Sequence, residues 1–517
     1  MPDSKPTFYV TTPIYYVNDI PHIGHAYATV GADALARFKR MDGFDVFFLT
    51  GTDEHGQKIA KTAKEKGLEP KQLADQVVER FKEVWVKLGI SHDRFIRTTD
   101  EDHRRAAQAF FKKVQDAGFI YKADYEGWYC VPDEKFLLES EVKEGKCPDC
   151  GRPVEKIKEE NYFFAMSKFQ KQIEELLEQH PEFLQPESRK NELVNNFIKP
   201  GLADVSITRS TVKWGIPAPV EGGPNLYVWF DALINYISAL DWPEGENFKK
   251  YWPADVHIIG KDILRFHTTI WPAMLMAGGL PLPKKVFGTG FITQGGEKMS
   301  KSLGNVVNPM DIIGRYGPDA LRYYLLRDVI FGLDGTFTTE AFESRFNGDL
   351  ANDLGNLLHR SLSMLEKYQG CVVPEPGALG DLEKQLETIA IGYAAKAREA
   401  VDRLEFHTVL AQVWELVKRA NKYIEESAPW KVAKEGDAGK AKLDKIMYSL
   451  MESLRVTAIA LAPFLPFSAQ GIWSQLGYDD EVRSHSLSET EKWGLIPVGQ
   501  KTAKGQPLFP RIEKEKK

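Results

Sequence analysis

Residues 8–17 are mostly β-branched and aromatic, a composition that predicts a strand. Apolar side chains then recur at helical spacing over 25–41 and stop at Asp42-Gly43, which predicts a helix with a turn at its end. The short apolar runs 46–49 and 256–259 have the length of buried strands. Strands alternating with helices predict a parallel sheet covered on both faces, an α/β fold of Rossmann-like type. Between about 115 and 224 the pattern changes to a charged helix at 170–179 and a turn-rich stretch at 214–219, as expected of a domain inserted into the sheet. Beyond about residue 349 strand patterns end. The amphipathic segments 382–403, 408–426 and 440–462 predict a helical bundle, with linkers at 373–380 and 435–439. The expected division is therefore 1–114 and 225–348 for the sheet domain, 115–224 for the insertion and 349–517 for the bundle.

Polar clusters follow the ends of the strand-like runs. His22-Ile23-Gly24-His25 follows the first, Gly51 to Gly56 the second, and Gly260-Lys261-Asp262 the run at 256–259. Open α/β sheets bind ligands in the crevice outside the carboxyl ends of their strands. His22, Asp53 and Asp262 are therefore expected to converge on one crevice although the sequence scatters them.

Bulk composition narrows the class without fixing it. A chain of 517 residues, 43% hydrophobic and 27% charged, has the makeup of a multi-domain globular protein. No apolar run approaches the roughly 18 residues of a membrane span. The stretch 228–240 is broken by Asp231 and Asn235, and the N-terminus has no apolar leader core, so a cytoplasmic protein with no membrane partner is expected. Four cysteines are too few for a disulfide scaffold. The net charge of −6 gives no sign of a nucleic-acid partner, although a local basic face would not register in it.

Two segments carry most of the chemistry. Gly24, where a strand hands over to a helix, lets a ligand approach the backbone, and His22 and His25 can donate to phosphate oxygens at a helix N-terminus. Lys298-Met299-Ser300-Lys301-Ser302, flanked by Gly295, Gly296 and Gly304, offers two ammonium groups on a loop able to close over substrate. Taken singly, the first reads equally well as helix-start histidines and the second as a solvated basic turn. In this order and at this separation they resemble the HIGH and KMSKS motifs of class I aminoacyl-tRNA synthetases.

Further segments are similar to the methionyl-tRNA synthetase family: 11–18, 51–56, 229–236, 260–267 and Ala428-Pro429-Trp430, so that the likeness covers essentially the whole chain. The resemblance implies an ATP-dependent ligase that makes methionyl-adenylate, releases pyrophosphate and passes methionine to the terminal adenosine of tRNA(Met). His22, His25, Lys298 and Lys301 would stabilise the transition state. Gly24, Gly260 and Asp262 would complete the ATP site, with Mg2+ accompanying the nucleotide. Asp53 and the backbone near Ile14 would hold the substrate ammonium. Tyr16, Trp229, Ala232, Leu233, Tyr236, Ile263 and His267 would shape the side-chain pocket, and aromatic neighbours suit a thioether. Asn356, Arg360 and Trp430 would read the anticodon by hydrogen bonding and stacking. Some relatives append a further tRNA-binding domain and dimerise through it; none is recognised in this sequence, so a monomer is expected. A sister synthetase for another apolar amino acid would carry a larger editing insertion, and an inactive tRNA-binding protein would not need intact histidines and lysines in both motifs.

Cys130-x2-Asp133 and Cys147-x2-Cys150 have the spacing of two halves of a structural zinc knuckle. Asp133 stands where the zinc-binding branch of the family has cysteine. The alternatives are a zinc ion held by three thiolates and one carboxylate, or a degenerate knuckle with weak or no metal.

Overall fold

Six parallel strands form the frame, in the order Arg94–Arg97, Asp45–Asp53, Thr7–Tyr16, Val256–Gly260, Val286–Thr289 and Leu184–Gln185. This computed structural model describes residues 5–18, 20–137, 139, 141–142, 144–148, 150–298 and 305–512, with backbone alone for Tyr125 and Lys298. From Thr7–Tyr16 the chain crosses through the helix Ile23–Met41 to Asp45–Asp53 and on to Arg94–Arg97. It returns much later on the other side, at Val256–Gly260. The strand order thus reverses between Thr7–Tyr16 and Val256–Gly260, and that reversal opens a crevice at their carboxyl ends.

The elements match the periodicity closely, and the differences have local causes. The charged helix forms at Gln170–Gln179. The amphipathic stretch after residue 381 divides at Gly392 into Asp381–Ile391 and Tyr393–Asp402. The helices Phe406–Ser427 and Lys440–Leu461 complete the bundle core. The span 435–439, expected as a linker, lies within 3-10 turns over Ala433–Gly439. In the inserted region an antiparallel sheet runs Lys135–Leu137, Ile120–Cys130, Glu155–Phe164, Val205–Ser206. The same region also returns Leu184–Gln185 to the edge of the main sheet, beside Val286–Thr289.

A buried arginine of the sheet domain reaches across to the bundle. Arg322, on the helix Pro318–Arg327, meets Asp33 of the helix Ile23–Met41 at 2.7 Å, with both side chains fully buried. Its remaining donors reach the carbonyls of Leu88, Pro463 and Phe464, so the guanidinium is satisfied on every side. Against the upward pull of burial, Arg37, Arg322 and the Ser91 hydrogen bonds hold the Asp33 carboxyl at about 2. No helix among the described residues is long and apolar enough to cross a membrane.

Candidate active site

One cavity of about 400 Å³ occupies the crevice where the strand order reverses. Its lining includes His22, Gly24, His25, Gly260 and Asp262, the residues expected around a nucleotide. The same cavity is lined by Ile14, Tyr16, Trp229, Ala232, Leu233, Tyr236, Ile263 and His267, those expected around the amino acid. Asp53 lies behind this lining, paired in register with Tyr16 and only 3% exposed.

The helix Ile23–Met41 is capped by its own histidines. His22 Nδ1 accepts from the Gly24 amide at 3.1 Å, and His25 Nδ1 accepts from the His22 amide at 3.1 Å. These two bonds form a capping box built from imidazoles, satisfying amides that a helix start leaves open. With both Nδ1 atoms accepting, a neutral ring carries its proton on Nε2, as a donor. Burial and the neighbouring His22 push the His25 pKa well below its ordinary value, so the His25 ring is neutral. The rings stack at 3.8 Å. A side chain on Gly24 would sit 3.0 Å from the folded-back His22 ring, so the glycine makes room for this cap.

The aromatic wall is equally constrained. Trp229, Ala232 and Leu233 lie on the helix Val228–Leu233, and the Trp229 ring stacks on Phe266 at 3.8 Å. His267 Nδ1 donates to the Ile263 carbonyl at 3.0 Å, which leaves Nε2 to accept from the Tyr236 hydroxyl at 2.7 Å. Burial lowers the His267 pKa to about 4, so the ring is neutral at pH 7. The Tyr16 hydroxyl and Trp229 Nε1 are buried without a hydrogen-bond partner among the described residues.

Asp53 Oδ1 is a further buried polar atom without such a partner. Burial, then the negative charges of Asp231 and Glu134, raise the Asp53 pKa well above its ordinary value. A carboxylate in that setting is built to receive a cation, since an unpaired buried charge is costly. The loop that follows its strand is braced. Arg97 makes a forked contact to Glu54 at 2.6 and 2.9 Å, and His55 Nδ1 donates to Asp231 at 2.7 Å. Asp231 also accepts from His103 Nε2 at 2.7 Å. Against the effect of burial, the two histidines hold the Asp231 carboxyl at about 2. In the sequence Asp231 reads only as a break in an apolar run; in the structure it is a buried charge joining the helix Val228–Leu233 to the loop after Asp53.

Lys58 also escaped the sequence reading. It lines the cavity and sets its ammonium 4.9 Å over the Tyr16 ring. Its place at the start of the helix Gln57–Glu65, immediately after a strand-end loop, is the one sequence cue that could have found it. Asn18, Asn235 and Phe291 are among the further residues of the lining. Lys298 stands on the hairpin strand Glu297–Lys298, paired with Ile292–Gln294, whose first residue lines the cavity. Lys301 lies outside the described residues.

Away from the cavity, the ligand atoms of Cys130, Asp133, Cys147 and Cys150 lie within 4.8 Å of one another. Cys130 Sγ is 3.6 Å from Cys150 Sγ, and Asp133 Oδ2 is 3.4 and 3.2 Å from the sulfurs of Cys130 and Cys147. Ligands at about 2.3 Å around a tetrahedral zinc stand nearly 4 Å apart, so these four atoms have the spacing of a closed structural site. In the bundle, Asn356 lines a shallow groove beside His359 and Phe509. Arg360 pairs with Glu425 at 2.7 Å, near the end of the helix that leads to Trp430, and the Trp430 side chain is 37% exposed.

A histidine-capped helix start at the switch point of a parallel sheet, an inserted cysteine knuckle and an appended helical bundle define the class I aminoacyl-tRNA synthetase architecture. The family described as tRNA synthetases class I (M) matches residues 8–156 and 151–362, and the anticodon-binding domain of tRNA ligases matches 385–505. The chain belongs to this class I (M) synthetase family. It is 52% identical to a methionine–tRNA ligase of Caldanaerobacter subterraneus subsp. tengcongensis, over 99% of this chain and 80% of that protein. It is 50% identical to a methionine–tRNA ligase of Clostridium acetobutylicum, over 99% of this chain and 79% of that protein. A Mycobacterium tuberculosis methionyl-tRNA synthetase, solved in complex with methionyl-adenylate, superimposes with a TM-score of 0.94 at 41% identity, covering 98% of this chain and all of that one.

Proposed function

We propose that the protein is a methionine–tRNA ligase. The observation that carries this reading is the single cavity, whose lining joins the aromatic pocket of Trp229, Tyr236 and His267 to the histidine-capped helix start. Methionine would enter with its ammonium toward Asp53 and its thioether among the aromatic rings. The carboxylate, already ionised at neutral pH, attacks the α-phosphorus of ATP, so no general base is needed. A phosphorus–oxygen bond forms to methionine as the bond to pyrophosphate breaks. Charge gathers on the phosphate oxygens, and donors fixed in advance stabilise it at little reorganisation cost. The capping bonds aim the Nε2–H groups of His22 and His25 for this role, and Lys298 and Lys301 would supply positive charge from the hairpin side. Gly260 and Asp262 would lie against the ribose, and Mg2+ would accompany the triphosphate.

In the second step a ribose hydroxyl of the 3′-terminal adenosine of tRNA(Met) attacks the carbonyl carbon of the adenylate, so that the methionyl group is transferred as an ester and AMP leaves, while Asn356, Arg360 and Trp430 meet the anticodon. The domain plan that serves this is 1–114 with 225–348 for catalysis, 115–224 as the insertion and 349–517 for tRNA. Cys130, Asp133, Cys147 and Cys150 would hold a zinc ion whose chemistry is structural, cross-linking the knuckle. Pyrophosphate exchange into ATP, assayed with each standard amino acid, tests the reading: methionine alone should support it. Folded protein that exchanges nothing with methionine would refute it.

A further inference from the structure

Glu134 follows the knuckle residue Asp133 in sequence, yet its side chain contacts the helix that carries the cavity-lining Lys58. It is 1% exposed and adopts a left-handed backbone (φ 46°), a conformation that costs a residue with a side chain. Its Oε1 accepts from the Lys58 amide at 3.0 Å. That bond caps the helix Gln57–Glu65, whose own N-cap residue, Gly56, has no side chain to do so. Gly56 sits at φ +106°, and a Cβ there would fall 2.2 Å from Glu134 Oε1, so glycine is what admits the carboxylate. The Glu134 carbonyl accepts from the Tyr227 hydroxyl at 2.7 Å, one residue before the pocket-wall helix Val228–Leu233. Glu134 Oε2 has no hydrogen-bond partner among the described residues, and the Glu134 charge acts on both Tyr16 and Asp53.

We infer that Glu134 is a positioning residue for amino-acid binding: by capping the helix of Lys58 it fixes the Lys58–Tyr16 wall beside Asp53. The inference rests on the methionine site proposed above. A cap that only supported the fold would lower stability and leave methionine affinity alone, so the two roles separate experimentally.

The test uses the full chain with Glu134→Ala and Glu134→Gln. It follows methionine binding by quenching of tryptophan fluorescence, together with the KM for ATP, zinc content and melting midpoint. Glu134→Ala should bind methionine about tenfold more weakly, with the KM for ATP and zinc content unchanged. Glu134→Gln keeps an acceptor oxygen for the Lys58 amide and should stay within about threefold of wild type. Methionine affinity unchanged in Glu134→Ala would overturn the inference. So would equal weakening in both variants, which would point to the charge instead of the cap, and so would a loss of zinc alongside both substrates. Should Glu134→Ala fail to fold, Tyr227→Phe decides, since it releases the Glu134 carbonyl and leaves the carboxylate. It should weaken methionine binding about threefold, and no change would overturn the inference. Wild type that bound no methionine would refute the functional reading itself, a result distinct from all of these.

Discussion

Replacing Asp53 by asparagine should separate the cost of a buried charge from its use. The carboxylate is 3% exposed, its Oδ1 has no hydrogen-bond partner among the described residues, and the charges acting on it from Asp231 and Glu134 are negative. Once methionine's ammonium is paired with it, removing one member of such a buried pair costs about 3–5 kcal/mol. At ~1.4 kcal/mol per factor of ten, kcat/KM for methionine should fall by roughly 10²- to 10³-fold in pyrophosphate exchange, and the KM for ATP should stay put. The unliganded protein should respond in the opposite sense. Because the folded-state pKa of Asp53 is raised above 3.8, the folded state keeps a proton that the unfolded state has lost. Stability therefore declines as pH rises from about 4 through the raised value. Asparagine abolishes that decline, so unliganded Asp53→Asn should melt higher than wild type at pH 7. Added methionine should raise the wild-type melting midpoint by mass action and leave the variant unmoved. Methionine binding to wild type should also tighten with rising pH, as Asp53 gives up its proton to pair with the ammonium. An Asp53→Asn protein that kept its methionine KM, or that melted lower than wild type without ligand, would refute the reasoning.

His25→Ala removes both the acceptor for the His22 amide and an Nε2 donor; kcat in exchange should drop about 10²- to 10³-fold, with the KM for methionine nearly unchanged. A parallel loss in methionine affinity would indicate collapse of the pocket instead. Asp133→Ala should reduce zinc in purified protein measured by elemental analysis, and equal zinc in both proteins would remove Asp133 as a ligand. Trp430→Ala should raise the KM for tRNA in aminoacylation while leaving exchange intact, whereas equal losses in both assays would point to folding. Acid should loosen the Asp33–Arg322 fastening. With Asp33 held at about 2, its contribution is complete above pH ~4 and fades as pH falls from there toward 2. Urea midpoints followed over that range should fall more steeply for wild type than for Asp33→Asn, which should itself be less stable at pH 7 by about 3–5 kcal/mol.

Periodicity was enough to find the frame because its strands are continuously buried and its helices amphipathic. The carboxyl-end rule points to His22, Asp53 and Asp262 at one crevice; His22 and Asp262 line the cavity, whereas Asp53 lies behind it in register with the lining residue Tyr16. The roles within the cavity came from another source, the family resemblance. Spacing alone reads Trp229, Leu233 and Tyr236 as ordinary core, and they are indeed buried. Burial and the proposed role agree here because a thioether needs the same surroundings as a core side chain. The knuckle was legible for a different reason: its ligands are close in sequence, so spacing constrains their geometry directly.

What stayed hidden is the set of contacts that make the site rigid. Asp231 meets His55 and His103, and Glu134 meets Lys58, across sequence separations that no local pattern spans. Their residue types misled as well, since an acidic residue in an apolar run reads as an interruption or a surface position. The two acids are nevertheless best understood with Asp53. Each sits beside it in a buried region, each raises its affinity for a positive charge, and each is fastened to an element that forms the pocket. Loosening either fastening should move the wall that the ammonium's owner must pass. On the proposed reading Asp53 alone meets the ammonium, and the two other carboxylates, drawn from separate parts of the chain, serve by fixing the elements around it.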